Sequence, residues 1–255
     1  MAQHHSIKEN ILEEIDLATS LIWTPFSKEE FIRVITKCNN SSTPGPDRLS
    51  WSHLKYMLKD NGCLQNIIRI ANACLDLDYW PTHFKILTTI VIPKPNKTSY
   101  DMPKSFRPIV LLNTLGKLIK KVIGKRLQFS NNFIHQSQLK GLKSNSMTNI
   151  GITLTHFICM GWVKNLLTSI LAFDIPQFFP SLNYRLLTCI LGKVDFNLWV
   201  VNFFSNYLVG RRTQYFWNSF MSPLFDVNVG VGQGSTLLPI LLALYFFPFL
   251  HILEN

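Results

Sequence analysis

The sequence predicts an α+β fold on three observations. Helical periodicity over 27–36, 50–58, 64–75, 115–127 and 149–163 alternates irregularly with short β-branched runs at 84–92, 107–112 and 167–173. That order is not the regular strand–helix–strand repeat of a parallel α/β sheet. A content of 47% hydrophobic and 16% charged residues over 255 residues supports a sizeable packed core. Two short β segments at 214–218 and 225–229 read as a hairpin between helices.

The elements follow in order. Residues 7–18 place Ile7, Ile11 and Ile15 at a spacing of four, the stripe of a short amphipathic helix. Ser27 with Glu30 makes a capping box that starts a helix running to Thr36. Pro44 and Pro46 around Gly45 mark residues 39–47 as a loop. Helices resume at 50–58 and 64–75. Residues 84–92 form a strand that Pro93 ends at a basic turn, 93–97, and 107–112 form a second strand. In the helix over 115–127, Leu115, Leu118, Ile119, Val122 and Ile123 share one stripe, with Lys117, Lys120, Lys121 and Lys125 largely off it.

Residues 141–148 read as a loop and 149–163 as a helix. A strand at 167–173 runs into Asp174, and helices follow at 182–191 and 197–207. After the hairpin, Ser235 is placed to cap a long apolar helix. The apolar stretch 237–253 is interrupted by Pro239 and Pro248 and carries His251. A spanning helix needs roughly twenty apolar residues, so this stretch reads as a buried helix and no membrane partner is expected.

Net charge is +10, and its distribution is uneven. Between Lys85 and Lys143 twelve basic residues face a single acid, Asp101, so this block holds +11 and the remainder is close to neutral. Such a block suits a polyanion whose counterions are released on binding; a solvated face or a dock for an acidic protein is the plainer alternative. The five cysteines are scattered with no Cys-x-x-Cys pair, which indicates neither a zinc site nor a disulfide framework and fits a reducing compartment. The first ten residues lack an apolar signal core, so an intracellular rather than secreted protein is expected.

Five segments occur in an order that carries a resemblance. They are Ser42-Thr-Pro-Gly-Pro-Asp47; Ile92-Pro-Lys-Pro95 with Lys97; Ser105-Phe-Arg-Pro-Ile109 with Leu111-Leu-Asn-Thr-Leu-Gly-Lys117; Leu171-Ala-Phe-Asp-Ile-Pro-Gln-Phe-Phe-Pro-Ser-Leu-Asn183; and Gly230-Val-Gly-Gln-Gly-Ser-Thr-Leu-Leu-Pro-Ile240. Together they resemble the reverse transcriptase (RNA-directed DNA polymerase) domains of non-LTR retrotransposons. The runs 203–211 and 214–218 look especially similar to fungal copies. The resemblance implies a right-hand polymerase: a helical N-terminal extension at 1–83, basic fingers at 84–166 and a partial palm at 167–255, with the thumb missing. It implies RNA template, DNA primer and deoxynucleotide as partners, with no obvious protein partner, and a possibly nuclear place of action.

The resemblance also implies roles for residues. Nucleotidyl transfer in this family uses two metal ions, Mg²⁺ or Mn²⁺, to activate the primer oxygen and stabilise the leaving pyrophosphate. Asp174 matches the first metal-binding carboxylate and the Ile175 carbonyl its backbone helper; an isolated Asp capping the next turn is the alternative. Phe179 stands where the family keeps a ring against the nucleotide sugar, although packing in the core would equally explain one of the adjacent pair Phe178 and Phe179. Gln233 and Gly234 match the turn where bare backbone approaches the templating pair. Lys94 and Arg107 match finger residues that clamp the triphosphate, or else contact template phosphates only.

Several departures from the family pattern lower the expected activity. The family's aromatic-x-Asp-Asp hairpin follows the glycine turn at some distance, and the sequence reaches Asn255 without one; after Asp174 the acids are Asp195, Asp226 and Glu254. Thr236 and Leu238 replace the usual Pro and Ser, and Pro176 replaces a small residue. The sequence therefore reads as a truncated copy whose metal binding is doubtful and which is inactive as it stands, or as a nucleic-acid-binding remnant acting through residues 85–143.

Overall fold

The computed structural model describes residues 24–129, 147–175, 178–193, 198–232 and 234–254. The helix expected over 7–18 and most of the loop expected over 141–148 lie outside them. Helix α1 (Lys28–Thr36) starts on the expected capping box: Ser27 Oγ accepts from the Glu30 amide, and the Glu30 carboxylate accepts from the Ser27 amide at 2.8 Å. It buries Phe31, Val34 and Ile35 against the helices that follow. Helices α2 (Trp51–Met57) and α3 (Asn61–Asp76) begin on Ser50 and Asp60, whose side chains accept from amides three residues on.

Two strands come next, β1 (Ile86–Pro93) and β2 (Phe106–Leu111), paired antiparallel from Thr88 opposite Leu111 to Pro93 opposite Phe106. Helix α4 (Thr114–Phe129) follows immediately. Its start is held by the Pro-Gly-Pro-Asp loop, for the Asp47 carboxylate accepts from the Thr114 amide at 2.6 Å. Asn113 closes the clasp, accepting from the Asp47 amide at 3.1 Å and donating to the His83 carbonyl at 2.7 Å. Helix α4 is tied to α1 by a bidentate ion pair in which Arg126 meets both Glu30 oxygens at 2.6 Å.

Helix α5 (Met147–Val163), the short turn α6 (Phe178–Ser181), α7 (Tyr184–Lys193) and α8 (Leu198–Leu208) lead to strands β3 (Arg211–Trp217), β4 (Phe220–Met221) and β5 (Phe225–Val227). Strand β3 joins the first hairpin in parallel, Leu87 beside Thr213 and Thr89 beside Tyr215, giving the order β2-β1-β3-β4 with β5 also paired to β3. Helix α9 (Leu238–Glu254) packs back on α7 and α4. The core runs through the helices α1 to α4 and α7 to α9. Trp80 lies at its centre with ring contacts to Phe84, Phe203 and Tyr207, and Asn206 accepts there from the Trp80 amide and the Lys85 ammonium. Mixed α+β architecture is thus observed. No described helix is long and apolar enough to cross a membrane.

Three expectations need correction. The strand over 167–173 is not formed: residues 166–175 pair with no strand, and Leu167, Leu171 and Phe173 are exposed. Apolar residues of both parities suit a strand covered on both faces, and no described strand lies beside this one to complete it. Lys120 is buried rather than off the core stripe. Ser235 does not cap the last helix with its side chain; its hydroxyl meets Tyr207 at 3.0 Å, and the helix begins three residues later.

Replacing Asp47 by Ala strands the Thr114 amide and is expected to destabilise the fold by about 1–2 kcal/mol, read as a drop of several degrees in Tm. An unchanged Tm would show that the clasp does not hold α4. Burial alone would raise the Glu30 carboxyl, but its hydrogen bonds to Arg126 and Ser27 outweigh this and hold it below the carboxylate range. A depressed native pKa contributes stability above the unfolded value and loses it as pH falls through the native one. Glu30→Gln is therefore expected to flatten the acid limb of a stability profile.

Candidate nucleic-acid interface

The glycine turn is built by close approach. Gly230 sits at φ +74°, and a Cβ there would stand 2.4 Å from the Pro180 carbonyl oxygen; one on Gly234, at φ +123°, would stand 2.7 Å from the Val110 carbonyl oxygen. A side chain at Gly232 would meet Val110 Cγ2 at 2.7 Å. The loop thus lies with its bare backbone against β2 on one side and α6 on the other. Its first two amides bind α6 and the residue after it: Gly230 donates to the Leu182 carbonyl at 3.0 Å and Val231 to the Phe179 carbonyl at 2.9 Å. Gln233 lies outside the described residues.

Beneath the loop is a buried polar cluster that sequence reasoning missed. Arg211, 4% exposed, donates to the Leu208 carbonyl at 3.1 Å, to the Gly230 carbonyl at 2.5 Å and to the Tyr184 hydroxyl. The Tyr184 hydroxyl also donates to the Gly230 carbonyl, at 2.5 Å. Alongside, the Lys120 ammonium sits between the rings of Trp80 and Tyr207, 5.9 and 5.4 Å from their centroids. Burial holds the Lys120 ammonium below the ordinary lysine range, and the positive charge of Arg211 acts the same way. Burial pushes the Tyr207 phenol up, but the charges of Lys120 and Arg211 and the bond to Ser235 bring it below the ordinary tyrosine range. The available signal was the run Phe203–Arg211, in which Tyr207 near the end of an aromatic-rich helix is followed by Gly210 and Arg211 at the start of β3.

Side chains alternate along strands, so the register places Val91, Phe106, Pro108, Val110, Tyr215 and Phe225 on the sheet face that receives the loop. Rings gather on this face: Phe106 lies 5.5 Å from Trp217 and 5.8 Å from Tyr100, and Tyr215 lies 6.0 Å from Phe225. Trp217, Tyr215 and Phe225 are about half exposed. Lys94, Lys97 and Lys104 lie in the turn of the first hairpin, with Asp101 its sole acid, and Arg107 follows at the start of β2. The Lys94 ammonium donates to the Lys104 carbonyl at 2.7 Å, and Arg107 is exposed on the side of β2 opposite Val110. Solvent-facing rings flanked by cations suit the stacked bases and phosphates of a single strand.

The expected site residues are only partly assembled. Gly234 meets β2, half-buried Phe179 packs against the core and touches the loop through its carbonyl, and Phe178 stacks on Phe246 of α9 at 4.7 Å. Lys94 and Arg107 share the hairpin tip. Asp174 stands apart on the exposed stretch 166–175, and Ile175 is half exposed beside it. Among the described residues no three His, Cys, Asp or Glu side chains come together as metal ligands.

No family model matches the chain. Individual proteins do. It is 28% identical over 87% of its length to a probable RNA-directed DNA polymerase from transposon X-element of Drosophila melanogaster, covering 24% of that protein. A probable RNA-directed DNA polymerase from transposon BS of the same fly is 26% identical over 91% of the chain and 26% of its own length. The RNA-directed DNA polymerase from mobile element jockey of that fly is 35% identical over 42% of the chain, 12% of its own length. The chain spans about a quarter of the length of the first two relatives.

Gly234→Ala forces a Cβ onto the Val110 carbonyl at a positive φ and is expected to cost about 1–3 kcal/mol. Thermal unfolding checks this; a Tm equal to wild type would mean that the loop does not lie on β2.

Proposed function

We infer the function from one premise: this chain is part of a reverse transcriptase domain of the non-LTR retrotransposon family. On that premise the five-stranded sheet and the glycine loop form the side of the domain that receives template and nucleotide. Residues 84–166 act as fingers and 167–255 as a portion of the palm. The observation that carries this reading is the placement of the Gly230–Gly234 backbone on β2, on the same face as the exposed rings and at the base of the cationic hairpin. Bare backbone there lets the loop lie directly on β2 and α6, and Phe179 borders the loop through its carbonyl, at the position where the family resemblance would set a ring near the ribose 2′ oxygen. Lys94 and Arg107 supply phosphate contacts from the tip. An RNA template, a DNA primer and deoxynucleotides are the corresponding ligands, and the nucleus the corresponding place of action.

The residues present do not fit the family's metal pair. A hard divalent cation needs several oxygen ligands held in place. Here Asp174 and the Ile175 carbonyl lie on a stretch with no strand partner, and no second carboxylate joins them among the described residues. Binding without nucleotidyl transfer is therefore the function proposed for this chain alone. The exposed position of Asp174 favours that non-catalytic reading over a residual polymerase.

Two measurements test it. Primer extension on an RNA template with Mg²⁺ or Mn²⁺ is expected to yield no templated product, and synthesis would overturn the non-catalytic assignment. Single-stranded RNA is expected to bind with an affinity that falls steeply with salt, and Lys94→Ala and Arg107→Ala each to reduce the slope of log affinity against log salt by about 1. Binding indifferent to salt would overturn the assignment of the basic hairpin.

A further inference from the structure

The run Phe203–Arg211 has no part in the function just proposed, yet its Tyr207 and Arg211 are buried and directed at the glycine loop. Arg211 lies on the Gly230 carbonyl at one end of the loop, supported by Tyr184. Tyr207 reaches Ser235 at the other end, its ring kept in place by Trp80 at 5.7 Å and by the Lys120 ammonium. No buried carboxylate neutralises the two cations, for the one ion pair among the described residues joins Arg126 to Glu30. Two desolvated cations with no counter-ion are costly unless their donors are satisfied, and here the acceptors are a loop carbonyl, a helix-end carbonyl and tyrosine oxygen and ring faces.

We propose that Tyr207, Arg211 and Tyr184, with Lys120 beneath, are positioning residues that fix the two ends of the glycine loop, at Gly230 and Ser235, and thereby its capacity to receive nucleic acid. The last clause rests on the reading of the loop given under Proposed function; the fixing of the loop does not. The geometry has a specific consequence. Tyr207 and Ser235 share one hydrogen bond, so removing either hydroxyl removes the same restraint. Arg211 grips a carbonyl, so a shorter-reaching cation at that position cannot serve both Leu208 and Gly230.

The test uses the full 255-residue chain and hydrogen–deuterium exchange. Tyr207→Phe keeps the ring over Lys120, and Ser235→Ala removes a single oxygen, so both variants are mild. Each is expected to speed amide exchange over 230–235 on the order of tenfold, the effect of leaving one buried polar partner unpaired. The double variant is expected to be no faster than the singles, and exchange in α1 and α3 to stay at the wild-type rate. Additive effects, an unchanged loop, or equal acceleration throughout the chain would overturn the proposal, because each would mean that packing rather than this bond sets the loop.

Single-stranded RNA binding, followed by fluorescence anisotropy below the unfolding transition, is the second readout. A severalfold loss of affinity alongside the local exchange change supports both parts. Local exchange without loss of affinity supports the positioning of the loop and overturns its nucleic-acid role, which separates the two claims. Arg211→Lys provides a check at the other end: faster exchange at Gly230 and Val231 is expected, and wild-type exchange there would remove Arg211 from the set.

Discussion

The Arg211 guanidinium is where the helical layer, the sheet and the glycine loop meet. It closes the end of α8 through the Leu208 carbonyl, begins β3, and holds the Gly230 carbonyl together with Tyr184 of α7. Strand β3 can run parallel to β1 only if the chain turns sharply after α8, and Gly210, at φ +69°, with Arg211 makes that turn. The same residue therefore fixes where the sheet begins and where the loop lies over it. A buried cation in this place is tolerated because its Nε and Nη2 find oxygen acceptors and because Tyr184 also faces its charge, 5.0 Å from ring centroid to guanidinium.

From that junction two halves of the molecule differ in completeness. On one side the sheet, the loop and the helices α1 to α4 are mutually covered: the Asp47 clasp, the Arg126–Glu30 pair and the Trp80 cluster each bind segments far apart in sequence. On the other, α5 and the stretch to Ile175 present Phe157, Trp162, Leu167 and Phe173 to solvent, and no described element covers them. Apolar surface on that scale marks a place where other structure packs. Asp174 belongs to this open half, which explains why the carboxylate most suggestive in sequence is the least constrained in space.

Legibility in the sequence followed locality. Capping boxes, the Pro-Gly-Pro loop, the hairpin strands and the apolar stripe of α4 are short-range signals, and each gave the element found, within one to three residues at its ends. The strand before Asp174 was misread because apolar alternation states a capacity to pair and says nothing of whether a partner is present. Lys120 was misread for a related reason. Its helical position lies beside the core stripe, but only the tertiary placement of Trp80 and Tyr207 turns that position inward. The ordered motifs carried the resemblance to reverse transcriptases, whereas the cluster under the loop joins residues 91 positions apart, from Lys120 to Arg211, and no periodicity carries such a signal.

The path proposed for nucleic acid crosses the sheet face bearing Phe106, Tyr215 and Trp217, beside the glycine loop. Photo-crosslinking with single-stranded RNA carrying a halogenated pyrimidine, followed by peptide mapping, tests it most directly. Crosslinks in residues 100–110 and 211–235 are expected; crosslinks confined to the helices between 28 and 76 would overturn this placement.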